Sequence, residues 1–223
     1  MPKVEIFETR DGSHSLLLPE MNETYHSTHG AVTESLYVFI DKGLKHLLKE
    51  QPALKEVNIL EVGFGTGLNA WLTAVEAANL GIKVNFVTLE KFPLEKEIWS
   101  QLNYAQSESD QKLFKSVHEA KWNSMEKVSQ NFSIQKLETD IFEFKPEDMS
   151  FDLVYFDAFA PSKQPEMWQP EVLEKMYNAL KKSGVFVTYC AQGQFKRDFK
   201  SAGFVAEELE GPPGKKEMTR GKK

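Results

Sequence analysis

Val57-Asn58-Ile59-Leu60-Glu61-Val62-Gly63-Phe64-Gly65-Thr66-Gly67-Leu68-Asn69-Ala70-Trp71-Leu72 is the stretch that decides how this chain folds. Residues 57–62 form a short apolar run that reads as a strand, and alternate glycines follow it. Apolar residues then recur at helical spacing over 68–80. Glycines in such a turn let the backbone approach a ligand closely, and the start of the next helix offers free N–H groups. A dinucleotide fingerprint would read Gly-x-Gly-x-x-Gly, but the residue after Gly67 is Leu68. Glu61, two positions before Gly63, would repel a pyrophosphate and attract an ammonium.

Working outward, strand and helix alternate. Residues 83–89 read as the next strand, ending at Glu90, with a helix over 94–102. The stretch 104–130 is polar and reads as mostly helical. Residues 133–138 form a third strand stopping before Asp140. Residues 151–156, broken only by Asp152, read as a central buried strand that stops at Asp157. Helix 170–181, strand 185–190, helix 194–202 and strand 204–209 complete the series, and 216–219 reads as a closing edge strand. Upstream, 4–10 and 14–18 read as two strands around the turn signal Asp11-Gly12, and 31–50 as a helix stopped by Pro52. The expected organisation is an N-terminal hairpin and helix extension over 1–50 and an α/β, Rossmann-like domain over 51–223. A mostly parallel sheet of this kind, with helices on both faces, binds ligands at the C-terminal ends of its strands.

Glu90, 27 residues after Gly63, falls at such an end, where a carboxylate accepts both hydroxyls of a ribose and repels a 2′-phosphate. Together with Glu61 and the loop glycines Gly63, Gly65 and Gly67, it describes a nucleoside ligand with a cationic amino-acid end. S-adenosylmethionine fits and NAD(P) does not. Asp140 would then sit beside the adenine amine. The second motif, Asp157-Ala158-Phe159-Ala160-Pro161-Ser162-Lys163-Gln164-Pro165-Glu166-Met167-Trp168, leaves the fourth strand beside the expected position of the transferable methyl. Its prolines stiffen the loop, Phe159 and Trp168 offer flat apolar surfaces, and Asp157 can hold or accept an N–H proton.

Composition sets outer bounds. At 223 residues with 41% apolar and 12% aromatic content the chain buries a sizeable core, so wholesale disorder is excluded. No apolar stretch approaches the roughly 18 residues of a membrane-spanning helix, and the N-terminus has no apolar signal core. A single cysteine, Cys190, forms no internal disulfide and suits a reducing, cytoplasmic setting; it reads as a small buried residue. His26 and His29 lie in a polar loop with no third ligand nearby, so no metal is expected. The net charge is −6, yet residues 181–223 carry 10 Lys/Arg against 5 Asp/Glu, a basic quarter that permits contact with a polyanion.

The strings EVGFGTGLNAWL, TLEKFPL, FDAFAPSKQPEMW, TYCAQGQFKRDFKSAGF and GPPGKKEM, with Glu34 and Tyr37-Val38-Phe39 in the early helix, resemble the methyltransferase module of the MnmC family of bifunctional tRNA 5-methylaminomethyl-2-thiouridine biosynthesis proteins. The likeness runs from about Tyr25 to Gly221. It implies a class I S-adenosylmethionine-dependent methyltransferase fold with a seven-stranded sheet. It also implies methylation of the aminomethyl group on the wobble uridine of tRNA, with Tyr25, Glu34 and Asn69 joining the cofactor residues. The oxidase module of bifunctional members is not matched, so a stand-alone methyltransferase is expected, which receives its aminomethyl nucleoside from upstream tRNA-modifying enzymes.

Under this reading the amine attacks the methyl in line and must first be neutral, at a cost of about 4 kcal/mol for a lysine-like amine at neutral pH. A carboxylate favours the ammonium. Asp157, the expected catalytic residue and also a cofactor contact, is therefore assigned to capturing and aligning the amine; whether it also takes the proton stays open. For RNA, Lys163, Lys196, Arg197, Lys215 and Lys216 are expected to meet phosphates of the anticodon loop, with Trp168 as a stacking platform. Two alternatives stand beside this: a small-molecule amine N-methyltransferase or aminopropyltransferase on the same fold, and a catalytically silent RNA-binding scaffold.

Overall fold

The computed structural model describes residues 3–223. Its centre is an eight-stranded sheet in the order β10-β11-β9-β8-β4-β5-β7-β6. The inner strands β4 (Glu56–Val62), β5 (Lys83–Glu90), β7 (Phe132–Glu138), β8 (Phe151–Phe156) and β9 (Leu180–Thr188) run parallel. β11 (Glu217–Lys222) lies antiparallel between β9 and β10 (Val205–Glu210). The seven expected strands are all in this sheet. An eighth, β6 (Met125–Lys127), pairs antiparallel with β7 in the stretch read from sequence as helical. The expected closing strand is also displaced: β11 is interior, and β10 forms the edge.

The central strands β4, β8 and β9 carry apolar residues on both faces because both are covered. Val57, Ile59, Leu153, Tyr155, Val185 and Val187 pack beneath α1 (residues 31–50) and α2 (Leu68–Leu80). The alternate residues Leu60, Val62, Val154, Phe156 and Phe186 pack beneath α5 (Pro170–Ala179) and α6 (Gly193–Ser201). Period-two alternation thus feeds two cores. Between them in the chain come α3 (Lys96–Trp99), shorter than the helix expected over 94–102, and α4 (Glu108–Glu119).

Helix α1 has wide π-type turns from Leu36 to Lys45, and Val38, Phe39, Leu44 and Leu47 enter the same core as β4. The N-terminal strands β1 (Glu5–Glu8), β2 (His14–Leu18) and β3 (Glu23–Thr24) form a separate three-stranded sheet, one strand more than a hairpin. Its first turn caps α1, since Asp11 Oδ2 accepts the Thr33 N–H at 3.0 Å and the Thr33 hydroxyl at 2.8 Å.

Candidate active site

β4 and β8 end side by side, and the loops leaving them are tied together. Asp157 N donates to Val62 O at 3.0 Å, while Gly63 N and Phe64 N donate to Leu89 O at 3.0 and 3.1 Å. Gly63 adopts φ +94°, and a Cβ there would stand 2.6 Å from the Asp157 carbonyl oxygen. Only glycine fits that approach. Above Gly63 and Gly65 opens a cavity of about 530 Å³. Gly67 lies outside it: in the left-handed region at φ +70°, it starts α2 and faces His118, whose Nε2–H donates to Thr66 O at 3.0 Å. Burial holds His118 neutral, lowering it to about 3.

Four sequence-singled acids separate into distinct environments. Glu90 lines the cavity; its Oε2 accepts the Gly65 N–H at 3.0 Å and its Oε1 the Phe92 N–H at 2.8 Å. Burial raises its pKa, and those donors pull the other way. Asp157 lines the cavity too, with Oδ2 accepting from Asn69 Nδ2 at 2.9 Å. Burial first, then the Glu34 charge, push Asp157 up to about 7. Asp140 lines the far end and pairs with Lys91 at 2.7 Å. Burial would raise it, yet Lys91 and the Phe142 N–H hold it below its ordinary value.

Glu61 corrects the sequence reading. It is wholly buried beneath the loop rather than lining the cavity, and its Oε2 accepts the Thr88 hydroxyl at 2.6 Å. Burial raises it well above the ordinary carboxyl value. An acid two residues before the first glycine on a fully covered strand points into the core.

The cover comes from both ends of the chain. Tyr25 lies over Gly65 and meets Phe159 edge-on at 5.2 Å. Glu34, nearly buried, accepts the Ser27 N–H at 2.7 Å and pairs with Lys215 at 2.5 Å. Lys215 Nζ also sits 3.6 Å from the Tyr189 ring centroid.

The expected RNA contacts scatter. Trp168 is buried, its indole N–H donating to Phe159 O at 2.8 Å, so it is packing and not a stacking platform. Lys196 is enclosed by Glu217 at 2.8 Å and Glu208 at 3.1 Å and is not free to meet a phosphate. Lys215 points into the cavity toward Glu34, and Lys163 donates to the Met21 and Asn22 carbonyls at 2.7 and 3.2 Å. Among the described residues, Arg197 and Lys216 are exposed and without a carboxylate partner.

The profile of the family described as S-adenosyl-L-methionine-dependent methyltransferase matches residues 101–223. The chain belongs to this methyltransferase family. It is 31% identical over 222 residues to the tRNA 5-methylaminomethyl-2-thiouridine biosynthesis bifunctional protein MnmC of Idiomarina loihiensis, covering 90% of this chain and 35% of that protein. The MnmC of Pseudoalteromonas atlantica is 32% identical over 217 residues, with shares of 90% and 31%. The methyltransferase thus spans about a third of the length of these curated relatives. The crystal structure of MnmC2 from Aquifex aeolicus superposes with a TM-score of 0.81 at 27% identity, covering all of this chain and 71% of that one. Spermidine synthase from Thermotoga maritima shares the fold, with a TM-score of 0.62 at 16% identity, 98% of this chain and 68% of that one.

The cofactor of this methyltransferase family is S-adenosyl-L-methionine, and the residues present fit it. Gly63 and Gly65 leave bare backbone, Glu90 lines the wall, and Asn69 Oδ1 is a buried acceptor without a partner, suited to an ammonium donor. The sequence reading missed Phe92, Phe142 and Tyr189, which also line the cavity. Each closely follows a strand end, so the rule that selects Glu90 would have found them.

Proposed function

We propose that this methyltransferase transfers a methyl group to the amine of 5-aminomethyl-2-thiouridine at the wobble position of tRNA, giving the methylaminomethyl form. The observation that carries the reading is Asp157, an acid at a strand end, fastened by Asn69 and facing a cavity whose residues fit S-adenosylmethionine. The names of the relatives, which are tRNA 5-methylaminomethyl-2-thiouridine biosynthesis proteins, support the substrate.

When bound, S-adenosylmethionine supplies an electrophilic sulfonium methyl. Glu90 is the residue for its ribose hydroxyls and Asn69 Oδ1 for its ammonium, with Asp140 at the adenine end. Asp157 Oδ2 is occupied by Asn69, which leaves Oδ1 to accept an N–H of the substrate amine and so to orient its lone pair. As a carboxylate, Asp157 also favours the amine's protonated form, so its contribution is capture and aim. Phe159, braced by Tyr25, gives a flat surface for the uracil ring. Arg197 and Lys216 are the residues for backbone phosphates. The aminomethyl group must already be installed, so an upstream tRNA-modifying enzyme acts first, in the cytoplasm.

The test is methyl transfer in vitro onto tRNA carrying aminomethyluridine, read by nucleoside mass spectrometry. A new methylaminomethyl nucleoside is expected. Methylation of free amines with tRNA untouched would overturn the proposal.

A further inference from the structure

Glu34 from α1 and Asp157 after β8 are among the carboxylates that face the cavity, and the Lys215 ammonium lies beside Glu34. Lys215 comes from the loop between β10 and β11, lines that cavity and pairs with Glu34 Oε1. It is held from a second side by the Tyr189 ring, whose hydroxyl donates to the carbonyl of Ala158, the residue after Asp157, at 2.8 Å. The other hand of Glu34 is fixed by the Ser27 N–H. Two carboxylates sharing a poorly hydrated site compete for one proton unless a cation stands with them.

We propose that Lys215 is a positioning residue of the transfer site: its ammonium, held between Glu34 and the Tyr189 ring, opposes the Glu34 charge at Asp157, so that a larger share of Asp157 meets the incoming amine ionised. The inference rests on the transfer role given above to Asp157. The same positive charge opposes the protonated form of the substrate amine and so offsets the opposite pull of Asp157. It replaces a phosphate-contact role for Lys215 with one inside the chemistry.

The charges around Asp157 agree in sign with this arrangement. Glu34 and Lys215 act on it in opposite directions, and Glu61 and Tyr189 also face it. Lys215 in turn faces His26 and Cys190, both kept neutral by burial, the histidine near 4 and the thiol raised.

The experiment follows Asp157 by carbon-13 NMR of aspartate-labelled protein against pH, without tRNA, its signal identified by loss in Asp157→Asn. Lys215→Met is expected to raise the Asp157 titration by about one pH unit. Lys215→Arg should leave it in place, and adding Glu34→Gln to Lys215→Met should return it toward wild type. The acid limb of kcat/KM for tRNA should move in parallel. An unmoved titration in Lys215→Met, or a double variant as displaced as the single one, overturns the proposal. If Lys215→Met does not fold, Lys215→Gln takes its place: a raised titration supports the role, and an unmoved one overturns it. A wild-type chain inactive on tRNA would count against the proposed substrate instead, since the titration is read without it.

Discussion

Asp157 carries the sharpest expectations at the scale of one residue. Asp157→Ala is expected to lower kcat by about 10²-fold or more, a typical loss for a group that handles a proton or aligns a nucleophile, while S-adenosylmethionine binding survives. Steady-state kinetics beside calorimetry separates the two. Its titration also couples to stability. The ordinary aspartate value is 3.8, and burial with the Glu34 charge raises Asp157 to about 7 in the folded chain. Between those limits the folded state holds the proton that the unfolded state has released, so this stabilisation is complete below 3.8 and lost as pH rises through about 7. Asp157→Asn does not titrate. Its stability relative to wild type should therefore grow with pH, reaching ~1–2 kcal/mol at pH 8 once water in the cavity is allowed for, as thermal melts without ligand would record. Glu90→Gln keeps the size but loses the charge, and the cofactor Kd should weaken about tenfold by calorimetry.

At the scale of elements, the loop after β4 separates its glycines by what surrounds them. Gly63→Ala places a methyl against the Asp157 carbonyl, which is pinned backbone, and should cost about 2–4 kcal/mol. Gly65→Ala meets only the Tyr25 ring at 3.1 Å, which can turn aside, so its melting temperature should fall less than that of Gly63→Ala while cofactor affinity drops. Equal losses of stability would contradict that ordering. This loop and α2 were legible in the sequence because several signals coincide there: a mostly apolar strand, glycine spacing and helical periodicity. β6 was not. Three residues, Met125, Glu126 and Lys127, are too few on a sheet edge to carry a period, and only pairing with β7 makes them a strand. The burial of Trp168 was equally hidden, since an aromatic after a Pro-rich loop suits either a core or a surface. The pairing of Glu34 with Lys215 joins positions 181 apart, a contact that no local pattern reports.

Across the whole molecule, half of the basic side chains of the C-terminal quarter are paired with carboxylates, and its charge count overstates what RNA can meet. Lys196, Lys215, Arg220 and Lys222 all pair with carboxylates. Reversing Arg197 and Lys216 to Glu should weaken tRNA binding and reduce the salt slope of log K by roughly 1.4–1.8, the share of two phosphates. Filter binding at several salt concentrations measures it, and an unchanged slope would remove both residues from the interface. Lys196→Ala should lower the melting temperature and leave that slope alone.

The order of the strands has a consequence for how the protein is made. β11 follows β10 in the chain but lies inside it in the sheet, against β9. While a ribosome is still adding residues beyond 210, β10 has no partner to join, and Lys215 has not reached Glu34. A nascent chain halted there would hold its glycine loop and its aspartate and yet lack Lys215, the residue that the loop between β10 and β11 gives the cavity. Under the role proposed for Lys215, a chain released before β11 is expected to lose methyl transfer.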